Sequence, residues 1–390
     1  MKIGVLIDRL NIGGVEKIAI EEVKSLIDIG EDAYLLVLSR KAVVKDAFAD
    51  LLKNIPVVYL DDRLPKIFKF SFKIPGFYFF SFFHLTYPFL LPFVIKKKEY
   101  DIIISHNIYT TFSALSLSKL NAIPYAVYIW DPLSYNLKKT YNKGFIYNIM
   151  FFVLFLGKRI DKILVNNSML VFVSGYIHYS QLKSIIKDDK KIKLIPLGHA
   201  YLREIKNFRG DYIFIATAWK EGKGLENLLN IIQQIPNCEL KVGGKWIHRE
   251  YRNKIESIIK NLKISNKVKL LGEISEQELN DSYINARVTV IMNDEPGFGM
   301  PVLEAASNGC TFIVTETSGV AYFFEKNKDG FFYKYEDYIT LKSYLIKLLN
   351  NERLAYDMGK NAWKKVKENY TWQKHAEILI NEIKSLMIRK

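Results

Sequence analysis

An acidic glycine loop followed by a helix is the part of this sequence best suited to chemistry. The run IMNDEPGFGMPVLEAASNGC reads as a strand end, a loop and a helix that opens with Pro301, a residue at home in a first turn. Gly299 lets the backbone approach a ligand, and the free amides of a helix start favour an anion. Glu304 falls in the first turn, where its carboxylate can accept hydrogen bonds from a diol, and Gly309 ends the helix. These features predict a nucleotide site. The alternative is an ordinary strand-to-helix connection with Glu304 as a helix-dipole residue.

Polar and aromatic side chains also follow two predicted strands of the first half. Trp130 and Asp131 come after the strand Tyr125–Ile129, and His106 follows the strand Asp101–Ser105. An aspartate at the carboxyl end of a parallel strand can bind a sugar hydroxyl or act as a base on an acceptor. It can equally cap the following turn. His106 is either an acceptor-side residue or a structural hydrogen-bonding residue.

Alternating strands and helices must position these residues, and this alternation predicts a parallel α/β architecture. A first series of strands is joined near 198–207 to a second series, which predicts two doubly wound domains. A long amphipathic helix, 371–388, follows the last strand. The strands are predicted at Lys2–Ile7, Ala33–Leu38, Val57–Leu60, Asp101–Ser105, Tyr125–Ile129, Lys162–Val165, Tyr212–Ala216, Glu239–Val242, Val268–Leu271, Val288–Met292 and Thr311–Val314.

The composition of the chain constrains its class and its partners. Its 390 residues suit two domains, and the formal net charge of +15 predicts an anionic partner: nucleic acid, an acidic membrane surface or a phosphorylated small molecule. The two cysteines, Cys238 and Cys310, have no metal-binding spacing, which favours a cytosolic protein without disulfides. Asp8 interrupts the first apolar run, so we expect a buried strand there and not a signal peptide.

Two apolar segments raise the question of membrane contact. The stretch Ile74–Ile95 contains no Lys, Arg, Asp or Glu, but three prolines interrupt it, so we do not expect it to span a bilayer. The preceding PKIFKFSFK, residues 65–73, alternates lysine with apolar residues, as an interfacial membrane contact requires. The alternative is a buried helix with solvated lysines. The shorter apolar segment Phe145–Leu156 is expected to be a core helix.

The sequence resembles glycosyltransferase family 4, the retaining enzymes of the GT-B fold. Its motifs follow the family's order along nearly the whole chain. They are IGGVEK at 12–17, LIPLG at 194–198, GKGLENLL at 222–229, GFGMPVLEAASNG at 297–309, TSGVAYFFEKNKDGFFY at 317–333 and NYTWQKHAEIL at 369–379. The resemblance implies two Rossmann-like domains facing across a cleft. The acceptor domain would be 1–203, completed by the helix 372–390, and the nucleotide-sugar domain would be 204–371.

The same resemblance implies roles for individual residues. The family's lysine in the Lys-Gly element binds the diphosphate of the sugar donor, which corresponds to Lys223, and the glutamate of the Leu-Glu-Ala helix holds the ribose, which corresponds to Glu304. The full set of residues assigned to the sugar donor is Gly14, Lys220, Lys223, Phe298, Gly299, Met300 and Glu304. Such a cradle of cations and amides stabilises a leaving diphosphate without a metal. The chain has no Asp-x-Asp, so no metal or other cofactor is expected.

Three positions depart from the family pattern. Glu295 and Glu304 are one residue further apart than is usual in the family. Either the loop bulges and Glu295 still contacts the sugar, or Asp294 contacts it, or this acidic role is lost. We favour Glu295. Ala218 stands where the family has an arginine, and Lys220 is the candidate for the missing charge.

The third departure is on the acceptor side. Trp130, followed by Asp131, stands where the family tends to carry a histidine. Asp131 therefore joins Glu295 as a catalytic candidate, and His106 and Trp130 are acceptor-side candidates.

These observations predict a retaining, metal-independent hexosyltransferase. Its substrates would be a UDP- or GDP-hexose and a lipid-linked or polysaccharide acceptor, met at the anionic inner face of the cell membrane. The alternative is an inactive relative that binds sugar or nucleotide, or that partners an active subunit. Nucleic-acid binding is not expected, because the basic residues are dispersed and no nucleic-acid-binding motif occurs.

Overall fold

The computed structural model describes residues 1–10, 14–40, 49–68, 82–140, 150–199, 205–206, 209–292 and 298–387. The chain divides into two compact units. The first comprises Met1–Leu197 with Trp372–Lys390, and the second comprises Gly198–Thr371. The sequence-based domain boundaries were placed at 203/204 and 371/372.

The first unit is built on a parallel sheet of seven strands in the order β3-β2-β1-β4-β5-β6-β7. Runs such as IGVLI of β1 and LVFV of β6 are apolar because both faces of a parallel sheet are covered by helices. The strands are β1 Lys2–Ile7, β2 Asp32–Val37, β3 Val57–Tyr59, β4 Ile102–Ser105, β5 Tyr125–Tyr128, β6 Leu170–Val173 and β7 Ile192–Leu194. The helices are α1 Gly14–Asp28, α2 Ala49–Leu52, α3 Phe82–Val94, α4 Ile108–Asn121, α5 Leu133–Thr140, α6 Met150–Asn167, α7 Tyr176–Lys183 and, from the end of the chain, α14 Trp372–Met387.

The second unit repeats the plan with six parallel strands in the order β10-β9-β8-β11-β12-β13. In both sheets the strand order reverses beside the first strand, and this arrangement forms a crevice at the carboxyl edge of a doubly wound sheet. The strands are β8 Tyr212–Ala216, β9 Glu239–Gly243, β10 Val268–Gly272, β11 Val288–Val290, β12 Thr311–Thr315 and β13 Phe331–Tyr333. The helices are α8 Leu225–Gln233, α9 Arg249–Asn261, α10 Glu276–Asn285, α11 Met300–Ser307, α12 Tyr338–Leu349 and α13 Glu352–Asn369.

The predicted α/β class with two doubly wound domains is confirmed, but one predicted strand is misplaced and β7 and β13 were not predicted. The strand expected at Lys162–Val165 is wrong, because these residues form the last turns of α6. A short apolar run is compatible with either a buried strand or a helix face. The sixth strand is instead Leu170–Val173.

The two apolar segments of the first unit expose large apolar side chains to solvent. In α3, Phe83 and Tyr87 are buried, while Phe93 is 86% exposed. The expectation of a core helix at Phe145–Leu156 is wrong for its described part, since Phe151 is 89% exposed and Phe155 46%. Among the described residues, no helix has the length and apolar character needed to cross a membrane.

Candidate functional site: a cavity at the carboxyl edge of the second sheet

The second unit contains a cavity of about 160 Å³ at the point where its strand order reverses. Strands β8 and β11 are neighbours there, and the chain leaves them in opposite directions, so their carboxyl ends cannot be closed by one connection. The residues lining the cavity come from the ends of β8 and β11 and from the loops that follow. They are Ile215, Ala216, Thr217, Trp219, Lys223, Val290, Ile291, Met292, Gly299, Met300, Pro301 and Ser318.

The loop after β8 carries Lys223 and is held by backbone contacts. Trp219 is buried, its backbone N–H donates to the Lys245 carbonyl at 2.7 Å, and its indole Nε1 donates to the Gly243 carbonyl at 2.7 Å. The loop ends at Gly224, where φ is +80° and an added Cβ would lie 2.8 Å from the Cβ of Met292. Only glycine tolerates both conditions at this position, so Gly224 fixes how close the lysine loop comes to the end of β11.

The opposite wall of the cavity is the start of α11. Gly299 is the residue before the helix, with φ +86°, and a Cβ added to it would lie 2.8 Å from the Ser318 hydroxyl. Pro301 occupies the first turn, where its missing N–H leaves no carbonyl without a partner. The first amides of α11 therefore face the cavity side with the positive end of the helix dipole, which is suited to an anion.

Glu304 lies one turn further along α11 and is half-buried. It neighbours Tyr283 of α10: burial, together with the Glu304 carboxylate, holds the pKa of the Tyr283 phenol well above its usual value. The phenol therefore stays protonated and is available to hydrogen-bond the carboxylate.

The structure brings some of the predicted sugar-donor residues together. Lys223, Gly299 and Met300 line the cavity. Phe298 is buried and its ring packs against Phe323, with 5.7 Å between ring centroids, so only its backbone is a candidate for ligand contact.

Lys220 is exposed in the same loop as Lys223. Asp294 and Glu295 lie outside the described residues. The ligand roles of all these residues stay predictions.

Arg209 is a residue of this unit that sequence reasoning missed. It is buried, and its guanidinium donates to the carbonyls of Tyr283, Ile284 and Asn308 at 2.8–3.0 Å. It thereby joins the carboxyl ends of α10 and α11, where carbonyls have no helical partner. Gly309, with φ +66°, ends α11 beside this guanidinium as predicted. Arg209 holds the two helices that carry Tyr283 and Glu304.

The carboxyl edge of the first sheet carries a second group of polar residues. Asp131, 38% exposed at its side chain, has its Oδ1 3.4 Å from Nε2 of the buried His178 in α7. Trp130 stacks on Tyr128 with 4.5 Å between ring centroids. Sequence reasoning identified Asp131 and Trp130 but not His178, which lies in an unremarkable helix after β6.

His106 is fully buried, and its structural alternative is the correct one. Its Nε2 hydrogen-bonds Glu22 Oε1 at 3.0 Å, while Glu22 Oε2 is 3.0 Å from His375 Nε2. His375 Nδ1 in turn faces the Pro196 carbonyl at 2.8 Å. The side chain of His106 therefore ties β4 to α1 and presents no surface to an acceptor.

Glu22 is the centre of this buried network. The two imidazoles outweigh the desolvation of its carboxylate and lower the pKa of Glu22 to about 2. The Glu22 carboxylate and the Pro196 carbonyl are both acceptors, so each ring nitrogen of His375 lies beside an acceptor. The network fastens α14 to the first sheet.

The start of α1 contains the remaining predicted residue and an acid that was not predicted. Gly14 is the first residue of α1, and a Cβ added to it would have no atom within 4 Å. Burial, with a contribution from nearby Asp8, raises the pKa of Glu16 in the first turn to about 7. Glu16 therefore titrates near neutral pH. Across the described part of the chain, no group of three or more His, Cys, Asp or Glu side chains is arranged to hold a metal ion.

Comparisons with known proteins show what this chain is similar to. Residues 203–365 match the model of glycosyl transferases group 1. An uncharacterised glycosyltransferase of Methanocaldococcus jannaschii is 26% identical over 212 residues, which are 54% of this chain and 57% of the relative. Mannosylfructose-phosphate synthase of Agrobacterium fabrum is 23% identical over 226 residues, which are 51% of this chain and 50% of that enzyme. The chain thus spans little more than half of the curated relatives it matches.

The fold comparison covers the whole chain. The crystal structure of Anabaena Alr3699/HepE in complex with UDP and glucose has a TM-score of 0.75 to this chain at 16% identity, covering 99% of this chain and 100% of that one. This similarity establishes the GT-B architecture of two Rossmann-like domains. Most of the second unit therefore matches the group 1 glycosyltransferases, and the whole chain shares the GT-B fold.

Proposed function

We propose that this protein transfers a hexose from a nucleoside diphosphate sugar to a glycan or lipid-linked acceptor, with retention of configuration and without a metal. The observation that carries the proposal is the cavity between β8 and β11, lined by Lys223 and by the first residues of α11. A lysine and helix amides that meet at one cavity suit a diphosphate. A UDP- or GDP-hexose is the proposed sugar donor, and the solved relative bound to UDP and glucose supports a uridine nucleotide.

The proposed roles follow the geometry of the second unit. Lys223 neutralises the diphosphate, with Lys220 as an outer charge. The amides of Phe298, Gly299 and Met300 contact phosphate and sugar.

Further along α11, Glu304 accepts hydrogen bonds from the ribose. The family resemblance alone proposes Glu295, or Asp294 in its place, as the acid for the sugar, since both lie outside the described residues. A role for Gly14 at the phosphate likewise stays a prediction from the resemblance.

The transfer step requires no protein nucleophile. The bond between the anomeric carbon and the diphosphate oxygen breaks, and an acceptor hydroxyl oxygen bonds to the same face of that carbon. The departing diphosphate takes the hydroxyl proton, and Lys223 offsets the negative charge that develops on it. Asp131, supported by His178, and the ring of Trp130 are proposed to hold the acceptor. The acceptor would be met at the inner face of the cell membrane.

A thermal-shift panel of nucleotide sugars tests the sugar donor. A ligand that binds only the folded state stabilises it by mass action, about 2.7 kcal/mol at a concentration 100 times its dissociation constant. We expect a shift with one nucleotide sugar and its nucleoside diphosphate, and a much smaller shift in Lys223→Ala. Lys260→Ala, which removes an exposed lysine of α9, is the matched control. Absence of a shift with every nucleotide sugar contradicts the proposal.

A second candidate is a relative that binds a nucleotide sugar without transferring it. Ala218 at the family's arginine position and the altered acidic spacing favour this alternative. Binding without release of nucleoside diphosphate, in the presence of membrane extracts as acceptor, would support it.

A further inference from the structure

Two helices of the first unit expose large apolar side chains where a solvated surface would be polar. On α3, Phe89 and Phe93 are 74% and 86% exposed. On α6, Phe151, Phe152 and Phe155 are 89%, 59% and 46% exposed. A contiguous apolar surface rimmed by polar residues marks an interaction site. We call these two exposed faces the α3 stripe and the α6 stripe.

The α3 stripe is held outward by specific bonds on the other side of the helix. Pro92 lacks the N–H that would bond the Pro88 carbonyl, and the Ser116 hydroxyl of α4 donates to that carbonyl instead. Asn121 Nδ2, also from α4, donates to the carbonyls of Pro92 at 2.9 Å and Ile95 at 2.7 Å. The prolines of α3 thus supply acceptors that dock the helix on α4, so the outward direction of its phenylalanines is built into the fold.

The α6 stripe is fixed in the same manner. Asp161 of α6 is buried, and its carboxylate accepts from the backbone N–H groups of Leu133 and Ser134, at 2.9 and 3.0 Å, and from the Ser134 hydroxyl at 2.8 Å. These bonds cap the start of α5 and place the Asp161 side of α6 inward. The face with Phe151 and Phe155 is therefore outward. Both α3 and α6 pack against α4, so the two stripes flank one helix in a single layer.

Within α3, α4 and α6, every exposed charged side chain is positive. Three exposed lysines, Lys96–Lys98, follow the α3 stripe directly, and the exposed cations of α6 follow its phenylalanines, namely Lys158, Arg159 and Lys162. The only acidic residue in α3, α4 and α6 is Asp161, which is buried. The guanidinium of Arg159 lies 4.9 Å from the ring centroid of Phe155. Phenylalanine next to lysine and arginine, on helices whose one carboxylate is buried, is complementary to an anionic bilayer surface.

We propose that the α3 and α6 stripes form one docking surface for an anionic lipid bilayer, with the phenylalanines at the level of the acyl boundary and the cations among the headgroups. This surface deepens the proposed membrane location and belongs to the first unit, whereas the sugar-donor cavity belongs to the second. A protein partner is less well matched, because lysine is depleted in the core of protein interfaces.

Co-sedimentation of the full chain with vesicles tests the surface without any assay of sugar transfer. We expect binding to vesicles that contain phosphatidylglycerol, weakened by salt, and little binding to vesicles of phosphatidylcholine alone. The triple variant Lys96→Gln, Lys97→Gln, Lys98→Gln should reduce partitioning by about fivefold for each lysine. The pair Phe93→Ala and Phe151→Ala should reduce it by at least about tenfold.

Matched controls come from the second unit. Ile339→Ala removes a side chain that is 86% exposed on α12, and Lys260→Gln, Lys263→Gln and Lys364→Gln remove three charges from exposed positions. Both control variants should bind vesicles as the wild type does. Equal binding to neutral and anionic vesicles, or equal losses in control and stripe variants, overturns the proposal. So does a concentration-dependent dimer that Phe93→Ala and Phe151→Ala abolish, since the surface would then be an interface between copies. Sugar-donor binding in the thermal-shift panel is unaffected by either result.

Discussion

Replacing Glu22 tests whether the buried network with His106 and His375 fastens α14 to the first unit. In Glu22→Leu, two buried imidazoles lose their shared hydrogen-bond partner. Removing the carboxylate from such a buried network costs about 3–5 kcal/mol. In Glu22→Gln, the side-chain amide keeps one acceptor oxygen and one donor nitrogen for the two imidazoles. This variant should therefore lose less, about 1–2 kcal/mol.

The pH dependence of the free energy of unfolding gives a second, independent value for the stability that Glu22 contributes. The environment lowers the pKa of Glu22 from 4.5 to about 2, which corresponds to about 3 kcal/mol of stability. Because the folded pKa is the lower one, this contribution is complete above the unfolded pKa and is lost as the pH falls towards 2. About 2 kcal/mol of the difference between wild type and Glu22→Leu should disappear between pH 7 and pH 3.

The assay is urea denaturation of the full chain, in which the unfolding transition of the first unit is followed. Amide hydrogen exchange of α14 is the local readout. Glu382→Gln is the matched control on the same helix, because it breaks the exposed pair between Lys193 and Glu382 at 2.7 Å. This control should cost less than about 1 kcal/mol. If Glu22→Leu costs no more than Glu382→Gln, or if α14 keeps its wild-type protection, the network does not hold the helix and the reasoning is refuted.

Three further outcomes are expected. Gly224→Ala should destabilise the second unit by about 2–5 kcal/mol and weaken nucleotide binding, because about 1–3 kcal/mol for the contact of its Cβ with Met292 adds to the backbone cost of a positive φ. Gly222→Ala, at φ +86° with free space, should lose only the backbone cost of about 1–2 kcal/mol, so equal urea midpoints for the two variants would contradict this. Arg209→Met should cost about 3 kcal/mol by leaving three carbonyls unpaired, against less than about 1 kcal/mol for Arg353→Met, whose side chain is 81% exposed. Sugar transfer should be unchanged in EDTA and unstimulated by Mg²⁺ or Mn²⁺, because protein cations and amides offset the diphosphate charge; a loss restored by metal would refute this.

The parts of the fold that sequence predicts are those with local signals. The strands around the cavity are apolar runs that end at glycine or polar residues, so β8, β9 and β11 were placed within two residues of their observed bounds. The strand predicted at 162–165 is wrong because a short apolar run is typical of both a buried strand and the inward face of an amphipathic helix. Exposure of the α6 phenylalanines could not be predicted, since apolar residues are usually buried.

The candidate site also contains residues that local motifs predict and residues that only tertiary packing brings there. Lys223, Gly299 and Met300 belong to short motifs whose chemistry is visible in the sequence. Trp219 and Ser318 line the same cavity because of tertiary packing, which no local pattern encodes. Glu22 joins His375, 353 positions away, and His106, 84 positions away. The bond to Glu22 gives the buried His106 a structural function in place of the predicted acceptor contact.

The most direct test of the central claim is the rate at which the purified protein releases nucleoside diphosphate from its stabilising nucleotide sugar, with and without acceptor. Wild type and Lys260→Ala should turn over equally, and Lys223→Ala should be slower by about 100- to 1,000-fold, as for the loss of one group that stabilises the developing charge. Full activity in Lys223→Ala, or no release by the wild type with any acceptor fraction, would contradict sugar transfer at the cavity between β8 and β11.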